Sequence, residues 1–294
     1  MRTAGALRDS CSDWVGTNLP VDVRRRLHRA LTEQRSGHVT AGLVLLLALC
    51  GWLDGGEEGA RRAVIAGVSP AAPAPPSSEV MYARFNAHLL QPYEAPNLGT
   101  AVAAICRRAG LSRMPEIYVL PGVHTMNAYA LGGREGAAIT LTEGLLAGMT
   151  GDELTAILAH EIAHLAYDDG STMTLADSLL RAIRHVAWSG QRSKPPQQAV
   201  AISWVLSNAP TIGELLCLAL SRIREYAADA LALELIADPL VLASALEKLE
   251  RHHRWSNGLA LGSGGDARCR LPSQPSINGP AHQLCPQPQL GGCA

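Results

Sequence analysis

The stretch "AILAHEIAHLAYDDG", residues 156–170, constrains this chain more than any other, because it sets His160 and His164 four positions apart with Glu161 directly after the first. In an α-helix that spacing projects both imidazoles from one face about one turn apart, close enough to hold one ion through their ring nitrogens. Glu161 falls at the flank of that face, within reach of water beside the ion without being a ligand itself. The helix announces its own start: Thr150 and Glu153 in "TGDEL" form the Thr-x-x-Glu pattern of a capping box, so the first turn is expected near Gly151. With 10 histidines in 294 residues, a chance His-Glu-x-x-His is expected roughly 0.02 times. Two hydrogen-bonded core histidines on an ordinary helix are therefore the weaker reading.

A hydrolytic zinc site needs three protein ligands and an open position for water. The metzincin spacing would place a third histidine at position 170, where the chain has Gly170, and an acid about nineteen residues after His164 is absent because position 183 is Ile183. The remaining candidate is "SRIREYAADALALELIADPLVLASALEKLE", residues 221–250, which carries Glu225 and, one turn on, Asp229. Alanines at 227, 228, 230 and 232 let a second helix approach closely. Asp229 shares the face of Glu225 and can accept the second ring N–H of a ligand histidine, fixing its tautomer. The competing reading makes Glu225 and Asp229 a solvated acidic face flanked by Arg222 and Arg224.

The rest of the chain divides unevenly. Hydrophobic residues make up 47% of it, enough for a full core in one large domain or two small ones. A formal net charge of -1 gives no field that would draw it to nucleic acid. Its 7 cysteines are odd in number, scattered and without a Cys-x-x-Cys pair, which suggests neither a disulfide framework nor a cysteine zinc site. Residues 1–35 form a basic segment and 36–53 a charge-free run just short of the about 20 residues that cross a bilayer. A Pro/Ala linker is expected at 68–79, a metal-binding domain over 80–254, and a low-complexity, poorly ordered tail over 255–294. Inside the domain, 97–110 reads as a helix ending at a glycine, and "EIYVLPG" and "EGAAITLTEGLL" as strands separated by "LGGREG". The expected fold class is α+β, mostly helical, with a small sheet before the histidine helix.

Together "NAYALGGREGAAITLTEGLLAGMTGDELTAILAHEIAHLAYDD" and "SRIREYAADALALELIADPLVLASALEKL" resemble the HtpX-type membrane zinc endopeptidases, relatives of the CAAX prenyl proteases. The resemblance covers roughly residues 80–250. It implies a zincin-like fold of the gluzincin type, one Zn²⁺ per chain held by His160, His164 and Glu225, and Glu161 as catalytic base. It further implies that Asp229 is a second catalytic acid, that Asp169 is the acid closing the histidine helix and supporting a ligand, and that Asn127 and Ala128 lie beside the substrate cleft. Protein or peptide substrates follow, as does membrane lipid as a partner. The location implied is a bacterial inner membrane, with the catalytic domain on the cytoplasmic side. The chain departs from the family at Leu131-Gly132, where Thr-Gly is usual, and lacks a recognisable His-Pro segment near its end, His282 being a weak substitute. The group that stabilises the oxyanion is therefore unassigned.

Zinc acidifies water, so Glu161 can accept the proton as that water attacks a peptide carbonyl and then pass it to the leaving amine. An extended substrate is expected to add as a strand along an edge near "AAITLT". The alternative function is a membrane scaffold or quality-control adaptor that keeps its zinc without turnover.

Topology adds a constraint. The run 199–220 contains one charge, Glu214, and by composition could cross a bilayer. His164 and Glu225 must meet at one ion, however, so the chain between them crosses an even number of times or not at all. Its partner "STMTLADSLLRAIRHVAW" carries Asp177, Arg181, Arg184 and His185, which makes a crossing costly. A helical hairpin turning at "SKPPQQ" is expected, packed on the domain or resting on the membrane surface. Seven arginines before Ser36 favour a cytoplasmic N-terminus, and a single crossing after them would place the zinc domain outside, against the family resemblance.

Overall fold

The computed structural model describes residues 21–69, 86–91, 93–122, 125–131, 137–192, 200–236 and 238–261. The expected turns at "LGGREG" and "SKPPQQ", most of the linker, His282 and most of the tail lie outside the described residues. In chain order the elements are α1 (Val21–Val68), β1 (His88–Leu89), α2 (Pro96–Ala109), β2 (Glu116–Leu120), β3 (Ala128–Leu131), β4 (Ala138–Thr142), α3 (Glu143–Gly148), α4 (Gly151–Tyr167), α5 (Asp169–Arg192), α6 (Val200–Leu235) and α7 (Pro239–Leu261). The chain is mostly helical with one small sheet, as its patterning predicts.

Helix α1 runs through the expected boundary at residues 35 and 36 without a break, then reverses at Gly55 and Gly56. Gly56 adopts φ 64, a left-handed conformation that glycine takes without steric penalty. The arm after the turn packs back on the arm before it, so tightly that a Cβ at Gly51 would stand 2.6 Å from the Gly59 carbonyl oxygen. Residues 36–53, expected as a transmembrane or membrane-associated helix, form part of one arm of this helical hairpin. The physical reason is the Asp-Gly-Gly sequence at 54–56, whose conformational freedom ends one helix and permits the next.

Four strands pair in the order β1-β2-β4-β3, with β2 and β4 parallel and the outer pairs antiparallel. This corrects the expected substrate edge. The "AITLT" strand is β4, buried throughout, with both of its ladders already taken by β2 and β3. The free edge on that side is β3, Ala128–Leu131.

Among the described residues, two large cores form, beside a small cluster around Tyr118 and Ala138. One gathers α2, the sheet, α4, the second half of α6 and α7 around Ile139, Leu141, Leu158, Ile162 and Leu235. The other joins α1, α5 and the first half of α6 around Leu43, Leu47, Leu179, Ile183 and Leu206. Within residues 80–254, α5 and the first half of α6 pack with the N-terminal helix. Helix α6, 36 residues long, is the member common to both cores.

Helix α4 begins with the expected capping box. The Thr150 hydroxyl accepts from the Glu153 N–H at 3.3 Å, and the Glu153 carboxylate accepts from the Thr150 N–H at 2.9 Å. Glu153 also accepts from Ser244 at 2.8 Å and Lys248 at 2.6 Å, which tie α7 to the start of α4. Lys248 first, then the Thr150 backbone, depress the Glu153 carboxyl to about 2. Glu153→Gln is expected to lower stability at neutral pH by about 1.5–3 kcal/mol, the range for hydrogen bonds to a charged group. Because the folded-state value is depressed, that difference is complete above the ordinary carboxyl range near about 4.3 and is lost as pH falls toward the folded value. Thermal or urea unfolding of parent and variant from pH 7 down to pH 3 checks both the gap and its narrowing.

Candidate metal centre

One turn of helix α4 carries the two histidines, and the way the helix ends supplies the next residue. Asp168 caps it in the left-handed region (φ 54, ψ 45), its N–H bonded to the His164 and Leu165 carbonyls. That reversal starts α5 at Asp169, whose buried Oδ2 lies 2.6 Å from His164 Nδ1. With Nδ1 so engaged, His164 presents Nε2 to the opposite side. His160 presents its own Nε2 there as well, 3.0 Å away, the two rings crossing edge-on at 83°.

From the second helix, α6, Glu225 Oε2 completes a triangle, 3.5 Å from His160 Nε2 and 3.8 Å from His164 Nε2. Ligands at 2.0–2.1 Å around a tetrahedral zinc stand about 3.3 Å from one another. The three atoms therefore have the spacing and chemistry of a zinc ligand set. Both histidine side chains are mostly buried, whereas that of Glu225 is 55% exposed, which leaves one side open to water and substrate.

Electrostatics agree. Burial would lower the His160 pKa, yet Asp229, Glu225 and Glu161 outweigh it and push the value up to about 10. His164, likewise opposed by burial, is raised chiefly by Asp169 and Glu161. The carboxylates that raise these values, Asp229, Glu225, Glu161 and Asp169, give the site a negative field that favours a cation. Glu161 is half-buried, and its charge is felt at His160, His164 and the Tyr129 phenol. Asp229 Oδ1 stands 3.0 Å from His160 Nδ1, but the two are not aligned as a directed hydrogen bond, and both atoms are otherwise unpartnered in a buried setting.

Asn127 and Ala128 sit at the start of the edge strand, which packs against α4. Asn127 exchanges bonds with Thr142, donating its N–H to Oγ1 at 2.9 Å and accepting from the Thr142 N–H at 3.1 Å. Its side chain turns to its own strand, Nδ2 donating to the Tyr129 phenol oxygen at 2.6 Å and Oδ1 accepting from the Ala128 N–H at 3.0 Å. Sequence reasoning named Arg224 only as a flank of the competing solvated-face reading and gave it no role at the site. The structure buries it to 4% exposure against Asp169. A signal was available: Arg224 occupies the apolar stripe Leu220, Ala227, Ala228, Leu231, where a charge implies a buried partner.

The model of Peptidase family M48 matches residues 92–277. Among curated relatives, the "Protease HtpX homolog" of Nostoc sp. is 32% identical over 219 residues, covering 70% of this chain and 75% of that one. That of Acidiphilium cryptum is 33% identical, covering 75% and 79%, and that of Pyrococcus abyssi 34%, covering 75% and 80%. Among solved structures, S. mikatae Ste24p aligns over 78% of this chain and 59% of its own, at 18% identity and a TM-score of 0.43. The resemblance read from the histidine helix and the Glu225 helix is thus matched across most of the chain, well beyond the motifs themselves, and the chain belongs to peptidase family M48.

Proposed function

We propose that this chain is a membrane-attached zinc endopeptidase in which His160, His164 and Glu225 hold one zinc ion per chain. The observation that carries this reading is the convergence of two Nε2 atoms and one carboxylate oxygen, at 3.0–3.8 Å, from two different helices beside an open face. Zinc in such a set supplies Lewis acidity, acidifying water and polarising a peptide carbonyl. Glu161 accepts the proton of the attacking water and returns it to the leaving amine. Asp229 steadies the His160 ring and serves as the second acid near the leaving group. A substrate strand lies along β3, where the alternation of an antiparallel ladder turns the main-chain groups of Ala128 and Ala130 outward. Selection through main-chain bonds suits unfolded protein substrates, as in quality control.

Among the described residues, two helices are long and apolar enough to cross a membrane, Arg25–Val68 and Ile202–Leu235. They expose Leu45, Leu49, Ile65, Ile212 and Leu215. Gly190 of α5 lies close to Leu206 of α6 and to Asp54 beside the turn of α1, which brings that turn and the ends of α5 and α6 to one level, where Trp52, Trp188 and Trp204 are all exposed. Exposed tryptophans at one level beside an apolar face suit a membrane interface. The exposed pairs Arg181–Asp177 and Arg184–Glu214 turn the α5 side to water instead. At the other end Arg25 pairs with Glu234 at 2.9 Å, setting this arginine against the metal-bearing unit. Since α1 reverses, arginines and zinc site share one side of the membrane, and the arginines favour the cytoplasmic side of a bacterial inner membrane.

Purified full-length chain is expected to contain one zinc per chain and to degrade an unfolded protein such as casein, with activity lost on chelation and restored by zinc. Zinc without cleavage would favour the adaptor alternative. In cells broken at low salt without detergent, the chain is expected to sediment with membranes; recovery in the soluble fraction would overturn the attachment.

A further inference from the structure

The Asp169 carboxylate has two oxygens and two neighbours. Oδ2 faces the His164 ring, and Oδ1 is held by the guanidinium of Arg224 through Nε and Nη2. Arg224 stands one position before Glu225, so the helix that brings a ligand to the metal also brings the cation that fixes the opposite ligand's support. The same guanidinium donates from Nη2 to the Tyr167 carbonyl at 2.8 Å, at the last residue of α4, and lies over the Tyr167 ring at 5.6 Å. Its remaining arm points to Ser36 Oγ at 3.5 Å, on α1, and Arg29 of α1 also lies over the Tyr167 ring, at 6.0 Å. Arg224, Asp169 and Ser36 are all at most 5% exposed. A planar guanidinium can meet a carboxylate, a carbonyl and a hydroxyl at once in fixed directions, which a lysine ammonium on a flexible stem cannot.

We propose that Arg224 is a positioning residue of this metal centre: by holding Oδ1 of Asp169 and the end of α4, it sets the orientation of the His164 ring and registers it on the N-terminal helix through Ser36. Orientation of a ligand imidazole by a carboxylate is worth about 10–100-fold in metal affinity, and a carboxylate free to turn would forfeit part of that. The inference rests on the zinc reading given above, and the experiment separates the two.

Zinc affinity of the full chain is measured by competition with a chelator for the parent, Arg224→Gln, Arg224→Lys, Asp169→Asn and the Arg224→Gln/Asp169→Asn double variant. Arg108→Gln serves as control, since Arg108 also ties helices together, through the Leu235 and Glu234 carbonyls, but away from the metal. Arg224→Gln and Asp169→Asn are each expected to weaken zinc about 10–100-fold, with the double variant no weaker than the worse single one, because both act through one ring. Arg224→Lys, which keeps the buried charge and so the fold, is expected to fall between parent and Arg224→Gln. Arg108→Gln is expected to lower the melting temperature and leave zinc affinity unchanged. If Arg224→Gln does not fold, Arg224→Lys against the parent decides. Parental zinc affinity in the Arg224 variants, or losses that add with Asp169→Asn, would overturn the assignment, whereas a parent that holds no zinc would overturn the zinc reading itself.

Discussion

Glu161→Gln protein is expected to fold, to keep one zinc per chain and to lose nearly all peptide hydrolysis. The side chain is not among the three atoms that converge on the metal position, so an isosteric amide leaves the ligand triangle of His160, His164 and Glu225 in place. What it removes is a proton acceptor, and a positioned acid–base group contributes about 10²–10⁴-fold. The same carboxylate serves both the attacking water and the leaving amine, so the loss should fall toward the upper end. Zinc content and the rate of casein cleavage, measured on the same preparation, give the two readouts. A variant as active as the parent would remove Glu161 from the mechanism.

Removing a ligand has the opposite signature. His160→Ala is expected to lose zinc and activity together, because two remaining protein ligands hold the ion poorly. Glu225→Gln keeps the size of the side chain but removes the charge that helps neutralise zinc, so metal retention through dialysis should fall clearly. Glu214→Gln is the matched control on the same helix, since Glu214 pairs with Arg184 at 2.8 Å, well away from the histidines. Asp229→Asn, whose oxygen stands beside His160 Nδ1 without ligating, is expected to weaken zinc by about 10–100-fold at most. Zinc held as tightly by dialysed Glu225→Gln as by the parent would show that the third ligand lies elsewhere.

What could be read in advance was whatever one helix or one strand determines locally. The capping box at Thr150 and Glu153 located the start of α4, and the four-residue spacing of His160 and His164 fixed their common face. Glu225 could be reached by eliminating other spacings, since few acids lay on a helix rich in alanine. The edge of the sheet could not, because strand order depends on which partner β4 meets on each side, and "AITLT" carries no mark of having two. The reversal in α1 was hidden for a related reason. Gly55 and Gly56 permit a turn, but what commits the chain to it is the packing of Leu47, Gly51, Gly59 and Ala63 across the two arms. Arg224 was passed over because it entered only as a flank of the competing solvated face, although its own position in the apolar stripe pointed inward.

Helix α6 passes from one core into the other with Glu225 near the crossing point, and this gives it the mechanics of a long lever. From Val200 to Glu225 is about 37 Å of helix at 1.5 Å per residue. One degree of swing about the far end would therefore carry Glu225 sideways by roughly 0.6 Å, several times the about 0.2 Å within which metal–ligand distances must be held. A lever that long is usable only if it is braced, and α1 and α5 clasp its first half along Leu206, Ala209 and Leu220. The N-terminal hairpin is then a truss as well as an anchor: it keeps the glutamate at its post against the jostling of whatever surrounds the far end of the bundle.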